Sequence, residues 1–436
     1  MNNAKYSEDT ETKLKRIAKL SSKDSEKEFC SLMHHYNAES LKRCFNELDA
    51  KKAVGIDKVN KEQYAEKLEE NIEELLIKMK RMAYKPGPVR QTMIPKASGG
   101  IRPLGISNFE DKIFQKMTQK LLESIYDPIF KESSYGFRPN RGCHDAIKAV
   151  QNYLYKKEIE IVIDVDIKGY FDSIDHKLLE EFLRKKIKDP KFMRYIIRMF
   201  KAGILAKGEL KIVREGVPQG SICSPILANV YAHYVIDVWI EEIVKPHCRG
   251  KIGYFRYADD IVICCRYKKD GDKIKEALGK RLDKYKLKLN EEKTEMVSFS
   301  KKAYEKGIKQ GTFDFLGFTF YIGKTRKGYF TTKLKTEGNR KRTKLKNVEK
   351  WAKENRNKYK LRFIWEKFIV KLRGHIQYYG VSHNSESVNE FKHQSIRILF
   401  KWLNKRSQRK SFTWEKWTLF MKKYPPPKVK IYHKLF

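Results

Sequence analysis

Apolar and polar positions divide the chain into stretches of different period. Leu68, Ile72, Leu75, Leu76 and Met79 recur at helical spacing, and the helix they predict is broken at Lys85-Pro86-Gly87-Pro88. A hairpin is predicted next, residues 89–95 against Ile101-Arg102-Pro103-Leu104, around the turn Ala97-Ser98-Gly99-Gly100. Residues 109–130 read as a helix ending near Asp127-Pro128, and a loop over 134–142 leads into another. The stretch from Ile159 to Asp166 alternates as a strand does. Tyr254-Phe255-Arg256 and Ile261-Val262-Ile263-Cys264-Cys265 predict two short strands joined by a turn at Tyr257-Ala258-Asp259-Asp260. Strands and helices interleave without regular βαβ units or a Gly-rich nucleotide loop. A mixed α/β (α+β) fold is expected over residues 29–334, and Rossmann and P-loop folds are disfavoured.

The period changes near residue 335. Leu345, Val348, Trp351 and Ala352 form one helical stripe, Phe368, Leu372, Ile376 and Tyr379 a second, and Val388, Phe391, Leu399 and Leu403 a third. A basic three-helix module over 335–408 is the simplest reading, its aromatic residues forming a small core. Residues 1–28 are rich in Lys, Glu and Ser and predict a mobile or partly helical lead-in. Residues 409–436, with Pro425-Pro426-Pro427, predict a short, stiff basic tail.

Charge sharpens this picture. The 436 residues carry 94 Lys and Arg against 54 Asp and Glu, a formal charge of +40. Residues 321–436 hold 32 basic and 7 acidic side chains, so +25 of the total lies in the last quarter. Such an excess points to a polyanionic partner, because neutralised phosphates release counterions. With no apolar run of membrane-spanning length and no apolar leader expected, nucleic acid is preferred to an anionic membrane. The seven cysteines are scattered and form no Cys-x-x-Cys pair. That excludes a disulfide framework or zinc site as the expectation and fits a reducing, cytoplasmic setting.

The chemistry is concentrated in three acids. Asp259 and Asp260 at a hairpin turn, and Asp166 at a strand end, would be costly together unless a cation compensated them. Carboxylates from two strand ends could hold two divalent metals about 4 Å apart, one activating a 3′-hydroxyl and the other stabilising a leaving pyrophosphate. A triphosphate also needs cations around its outer phosphates. Lys96 and Arg102, on facing arms of the predicted hairpin, are placed to supply them. In Val217-Pro218-Gln219-Gly220-Ser221, Gly220 permits close backbone approach and Gln219 can hydrogen-bond a nucleotide. Phe171, five residues after Asp166, would stand beside the sugar and exclude a 2′-hydroxyl. Taken singly, each of these residues has an ordinary reading: solvated charge, helix-entry turn, core aromatic.

Taken in order they resemble a known series. Ile94-Pro95-Lys96, Arg102-Pro103-Leu104, Tyr135-Gly136-Phe137-Arg138-Pro139, the run 166–171, Pro218-Gln219-Gly220, Tyr257-Ala258-Asp259-Asp260, Leu289-Asn290-Glu291-Glu292-Lys293-Thr294 and Phe315-Leu316-Gly317-Phe318 resemble the motifs of reverse transcriptases. The Tyr-Gly-Phe-Arg-Pro element, Gly55-Ile56-Asp57-Lys58-Val59 and Arg373-Gly374-His375-Ile376-Gln377-Tyr378-Tyr379 are similar to the bacterial group II intron-encoded branch, with His375 where that branch often carries Trp. The resemblance implies a right-hand polymerase with fingers, palm and thumb that copies RNA into DNA with two Mg²⁺ ions, Mn²⁺ able to substitute. It implies Asp166, Asp259 and Asp260 as catalytic and metal-binding residues, with Ile167 among the metal positions. It also implies Lys96, Arg102, Phe171 and Gln219 as dNTP contacts, and Arg138, Lys293, Leu316 and Gly317 as primer and template contacts. The partners implied are an RNA template, a DNA primer and a structured intron RNA. A free-standing relative in repair or phage defence, and a pure RNA-binding splicing factor, are the alternatives. The acid-poor, cysteine-free last quarter predicts no second metal site for nicking DNA.

Overall fold

The computed structural model describes residues 9–95, 100–206, 209–211, 215–217, 220–325, 327–406 and 412–435. Lys96 and Gln219, singled out from sequence, lie outside them. Among the described residues eleven strands are numbered in chain order. The first five are β1 (Val89–Pro95), β2 (Ile101–Ile106), β3 (Ile161–Val165), β4 (Ile204–Ala206) and β5 (Glu209–Lys211). Then come β6 (Ile252–Tyr257), β7 (Asp260–Cys265), β8 (Glu295–Ser298), β9 (Phe313–Phe315), β10 (Phe318–Lys324) and β11 (Phe330–Thr336). They form three sheets, ordered β2-β1-β4-β5, β6-β7-β3-β8 and β11-β10-β9.

The central sheet, β6-β7-β3-β8, is antiparallel, with Val165 opposite Ile261 and Tyr257 opposite Asp260. Its inner strands are apolar at almost every position because both faces are covered. Ile161, Ile163, Val165, Ile261, Ile263 and Cys265 join a core with helices that include Thr10–Lys23, Phe109–Tyr126 and Ser224–Ala232. Val162, Val262 and Cys264 point the other way, into a second core. That division is the period of two expressed in packing. The adjacent thiols of Cys264 and Cys265 are both fully buried and unpaired.

The second core is continuous from the helix Cys143–Lys156 through β9–β11 to the basic helices Gly338–Asn355, Leu361–Tyr379 and Ser385–Leu403. These carry the three stripes, and the module is therefore packed on the sheet, not tethered beside it. A fourth helix, Trp414–Lys423, departs from the expected tail. Its Trp417 is fully buried against Trp365, Phe400 and Phe412, and Leu435 is fully buried near the end of the described chain. Four aromatic rings outweighed the local signal of three consecutive prolines. The N-terminal lead-in takes the helical form of the two expected, docked on the core. The helix Thr10–Lys23 buries Leu14 and Ile17, and Ser21 Oγ donates to the Ile125 carbonyl at 2.6 Å. Two apolar residues one turn apart suffice to dock it.

Candidate active site

The Ala258-Asp259 turn joins β6 to β7. Ala258 has φ of 57°, a left-handed conformation that costs an L-residue about 1–2 kcal/mol, so the surroundings must hold it. Two neighbours do. The loop at 134–138 runs beside β6, with Tyr135 N–H donating to the Arg256 carbonyl and Arg256 N–H to the Ser133 carbonyl. Gly136 in this loop lies so close that a Cβ would stand 2.3 Å from the Ala258 nitrogen.

From below, the fully buried Arg256 uses every N–H it has. Its Nε and Nη2 grip Asp237 at 2.7 and 2.6 Å, and Nη2 also donates to Ser134 Oγ. Nη1 donates to Asn229 Oδ1 and to the Ala258 carbonyl, both at 3.0 Å. Asp237 further accepts from Tyr254 Oη, and Asn229 donates to the Gly136 carbonyl. Arg256, Asp237, Asn229 and Ser134 were not singled out from sequence. The signal was present: an arginine inside an apolar strand and an aspartate inside an apolar helix must find each other.

Asp166 follows the end of β3, and extending the β3–β7 register by one residue places it opposite Asp260. Its backbone is clamped by the loop before β8. Asn290 N–H donates to the Asp166 carbonyl, and Asp166 N–H donates to Thr294 Oγ1. Its carboxylate accepts from Asn290 Nδ2 at 2.6 Å and stands 3.8 Å from Lys293 Nζ. Lys293 thus sits at the acid as a counter-charge, its side chain 70% exposed.

The acids repel one another. Burial, then Asp166, raises the Asp259 carboxyl above its ordinary value, with Arg102 and Arg256 pulling it back. Asp260 is an exposed residue whose carboxyl is desolvated by its packed neighbours; that desolvation, then Asp259, lifts it to about 6. Burial, then Asp260, lifts Asp164 to about 7. Among the described residues, however, no three His, Cys, Asp or Glu side chains converge closely enough to hold one metal ion. The resemblance implies Asp166 and Asp259 as the main ligands, with Asp260 supporting. Successive residues of a strand point to opposite faces, and Asp260 feels Arg340 and Glu337 of the helical module where Asp259 feels Arg102. Ile167 is buried and bridged to Leu289. The donor set still suits a divalent cation, since Mg²⁺ commonly takes one or two carboxylates and completes its shell with water and substrate phosphates. A pair of mutually repelling carboxylates, partly offset by Lys293 at Asp166 and by Arg102 and Arg256 at Asp259, meets that description.

A cleft of about 1370 Å³ opens between the β1–β2 hairpin and the helix Gly338–Asn355. Arg102, Phe171 and Gly220 line one wall, and Arg342, Lys344 and Lys346 the other. Ile94 pairs with Arg102 across the hairpin. Phe171 is buried edge-on against Phe137, with its ring forming part of the wall. Gly220 has φ of 104°, and a Cβ there would meet the Gly105 carbonyl at 2.6 Å.

Two expected nucleic-acid contacts are placed differently. Arg138 is buried, ion-paired with Asp127 at 2.6 Å and bonded to the carbonyls of Asp127, Lys131 and Ser134. It fastens the loop behind the Asp259 turn and presents no free face to a template. Leu316 and Gly317 form a two-residue hairpin turn with φ of 50° and 83°. Their carbonyls are held by Tyr378 Oη and the Glu337 N–H, so the turn is bolted to the helical module.

An acidic hairpin turn of an antiparallel sheet, beside a cleft closed by a basic helical module, is the architecture of a right-hand polymerase fold. The chain belongs to the reverse transcriptase (RNA-dependent DNA polymerase) family, whose model matches residues 94–320. It is 43% identical over 169 residues to the group II intron-encoded protein LtrA of Lactococcus lactis, covering 38% of this chain and 27% of that protein. It is 33% identical over 272 residues to protein YkfC of Escherichia coli, covering 56% of this chain and 71% of that protein. A 91 kDa protein in the cob intron of Schizosaccharomyces pombe is 41% identical over 172 residues, covering 39% of this chain and 21% of that protein. This chain thus spans about a quarter of the length of the intron-encoded relatives it matches. The family implies a divalent cation in general terms. Among the described residues no helix is long and apolar enough to cross a membrane.

Proposed function

We propose that this protein is an RNA-directed DNA polymerase of the group II intron-encoded type, which extends a DNA primer on an RNA template. The observation that carries the reading is that the β3–β7 register sets Asp166 beside the Asp259 turn, near a cleft lined by Arg102 and Phe171. In this reading Asp166 and Asp259 hold two Mg²⁺ ions, with Ile167 contributing and Asp260 supporting from the thumb side. Bound there, the ions would lower the pKa of the primer 3′-hydroxyl and offset charge on the leaving pyrophosphate.

The chain's own groups do the rest. Arg102 faces the outer phosphates and Phe171 closes the space beside the sugar. Lys96 and Gln219 are proposed as further dNTP contacts on their sequence motifs. Lys293, 3.8 Å from the Asp166 carboxylate on an exposed side chain, and the Leu316-Gly317 turn are proposed as primer contacts on their sequence motifs. Arg342, Lys344 and Lys346 neutralise template and primer phosphates from the thumb.

A structured intron RNA is proposed as the second partner. The +25 charge of residues 321–436 and the similarity to intron-encoded proteins support it. The seven free cysteines support a cytoplasmic setting.

Replacing Asp259 with Asn removes a ligand while keeping shape. Primer extension in Mg²⁺ is expected to fall by several orders of magnitude, with RNA affinity nearly unchanged. Substantial extension by Asp259→Asn would defeat the assignment.

A further inference from the structure

The cluster beneath the Asp259 turn is fully buried and ties together more of the chain than a strand end needs. We propose that Arg256 is a positioning residue for the polymerase reaction, acting on Asp259 through the Ala258 carbonyl. The inference rests on the polymerase reading above.

Three observations carry it. First, all five guanidinium N–H groups are used, on four partners, so the plane of the group has no freedom left. Second, one of those bonds ends on the residue that holds the left-handed conformation and directly precedes Asp259. Third, the other anchors come from separate parts of the chain. Asp237 and Asn229 lie on the long helix after the Gly220 loop, and Ser134 lies in the loop whose Gly136 presses on the turn. The helix, the loop and the turn are thereby referred to one rigid fork. A bidentate pair with Asp237 would suffice to bury the charge; the bonds to Ala258 and Ser134 add geometry, not neutralisation.

Arg256→Lys separates the two roles. An ammonium can reach Asp237 and keep the buried charge paired, but it cannot reproduce a planar fork that also reaches Ala258 and Ser134. Single-nucleotide extension should show kcat lowered about 100-fold, the loss typical of a misplacement on the order of 1 Å. Affinity for primer–template should stay at the wild-type value. Hydrogen exchange at the 258–259 amides should quicken while the rest of β6 and β7 keeps its protection. Adding Ala258→Gly, which removes the penalty of the left-handed turn, should recover about tenfold in kcat.

Ser134→Ala, which removes one anchor without leaving a charge, should show the same pattern in smaller degree and serves if Arg256→Lys does not fold. Wild-type kcat in the variant that folds would overturn the inference. So would a loss that tracks global unfolding while exchange at the turn is unchanged. Failure of the wild-type protein to extend any primer would sink the polymerase reading instead, and the exchange measurement would still decide the role of Arg256.

Discussion

His375 is the most informative single residue for testing the thumb. It lies on the inner face of Leu361–Tyr379, 5% exposed, stacked on Phe391 with ring centroids 3.5 Å apart. Neither ring nitrogen has a hydrogen-bond partner. Burial, then Lys344, pushes its pKa from 6.5 down to about 3. His375→Phe keeps a flat ring and removes both orphaned nitrogens. Each unmet polar group costs about 1–3 kcal/mol, and the slightly larger ring returns about 1–3 as strain, so a net gain on the order of 1 kcal/mol is expected at pH 7. The pH dependence is the sharper measure. Between pH 6.5 and about 3 the unfolded imidazole is protonated and the folded one is not, so stability falls as pH falls through this window. The slope approaches ~1.4 kcal/mol per pH unit, or about 2 kcal/mol lost at pH 5 from this residue alone. The assay is urea unfolding followed by tryptophan fluorescence, with Trp365 and Trp417 of the same core as reporters. The variant's advantage should widen by about 2 kcal/mol from pH 7 to pH 5. An advantage that stays constant with pH would show that His375 is not held neutral, and a less stable variant at both values would show that its nitrogens are satisfied.

Three further outcomes follow from the cleft and the turn. Gly136→Ala would drive a methyl into the Ala258 nitrogen, so kcat for extension should drop about 100-fold with fold retained; wild-type turnover would mean the turn yields freely. Phe171→Ala should raise the ratio of ribonucleotide to deoxyribonucleotide kcat/KM, and an unchanged ratio would leave Phe171 as a wall of the core only. Reversing charge at Arg342 and Lys346, which line the cleft, should lower the slope of log affinity against log salt by about 0.7–0.9 per lost phosphate contact, measured by RNA titration at several salt concentrations. An identical slope would place both side chains off the nucleic-acid path.

How much of this was legible in the sequence depended on whether the signal was local. The palm strands were, because burial on both faces leaves apolar runs bounded by acids, and the register of β3 with β7 follows once the two runs pair. The Asp259 turn was equally legible, since two adjacent acids inside an apolar hairpin are tolerated only where a cation or solvent meets them. Arg138 was misread for the opposite reason. An arginine in a polar loop reads as a surface charge, and only the fold shows Asp127 and three carbonyls enclosing it. The helix Trp414–Lys423 was hidden by the prolines after it, because a single buried tryptophan leaves no periodicity until its partners Trp365 and Phe400 are known. The same logic accounts for Arg256 escaping notice although it stands one residue before Tyr257-Ala258-Asp259-Asp260. Its carboxylate partner is 19 residues away on another element, and the third party to their contact is a main-chain carbonyl. Sequence periodicity reports which face of an element is buried, but a buried ion pair is defined by two elements together. In a polymerase palm the residues that touch substrate are therefore the easier ones to find, and those that aim them need the fold.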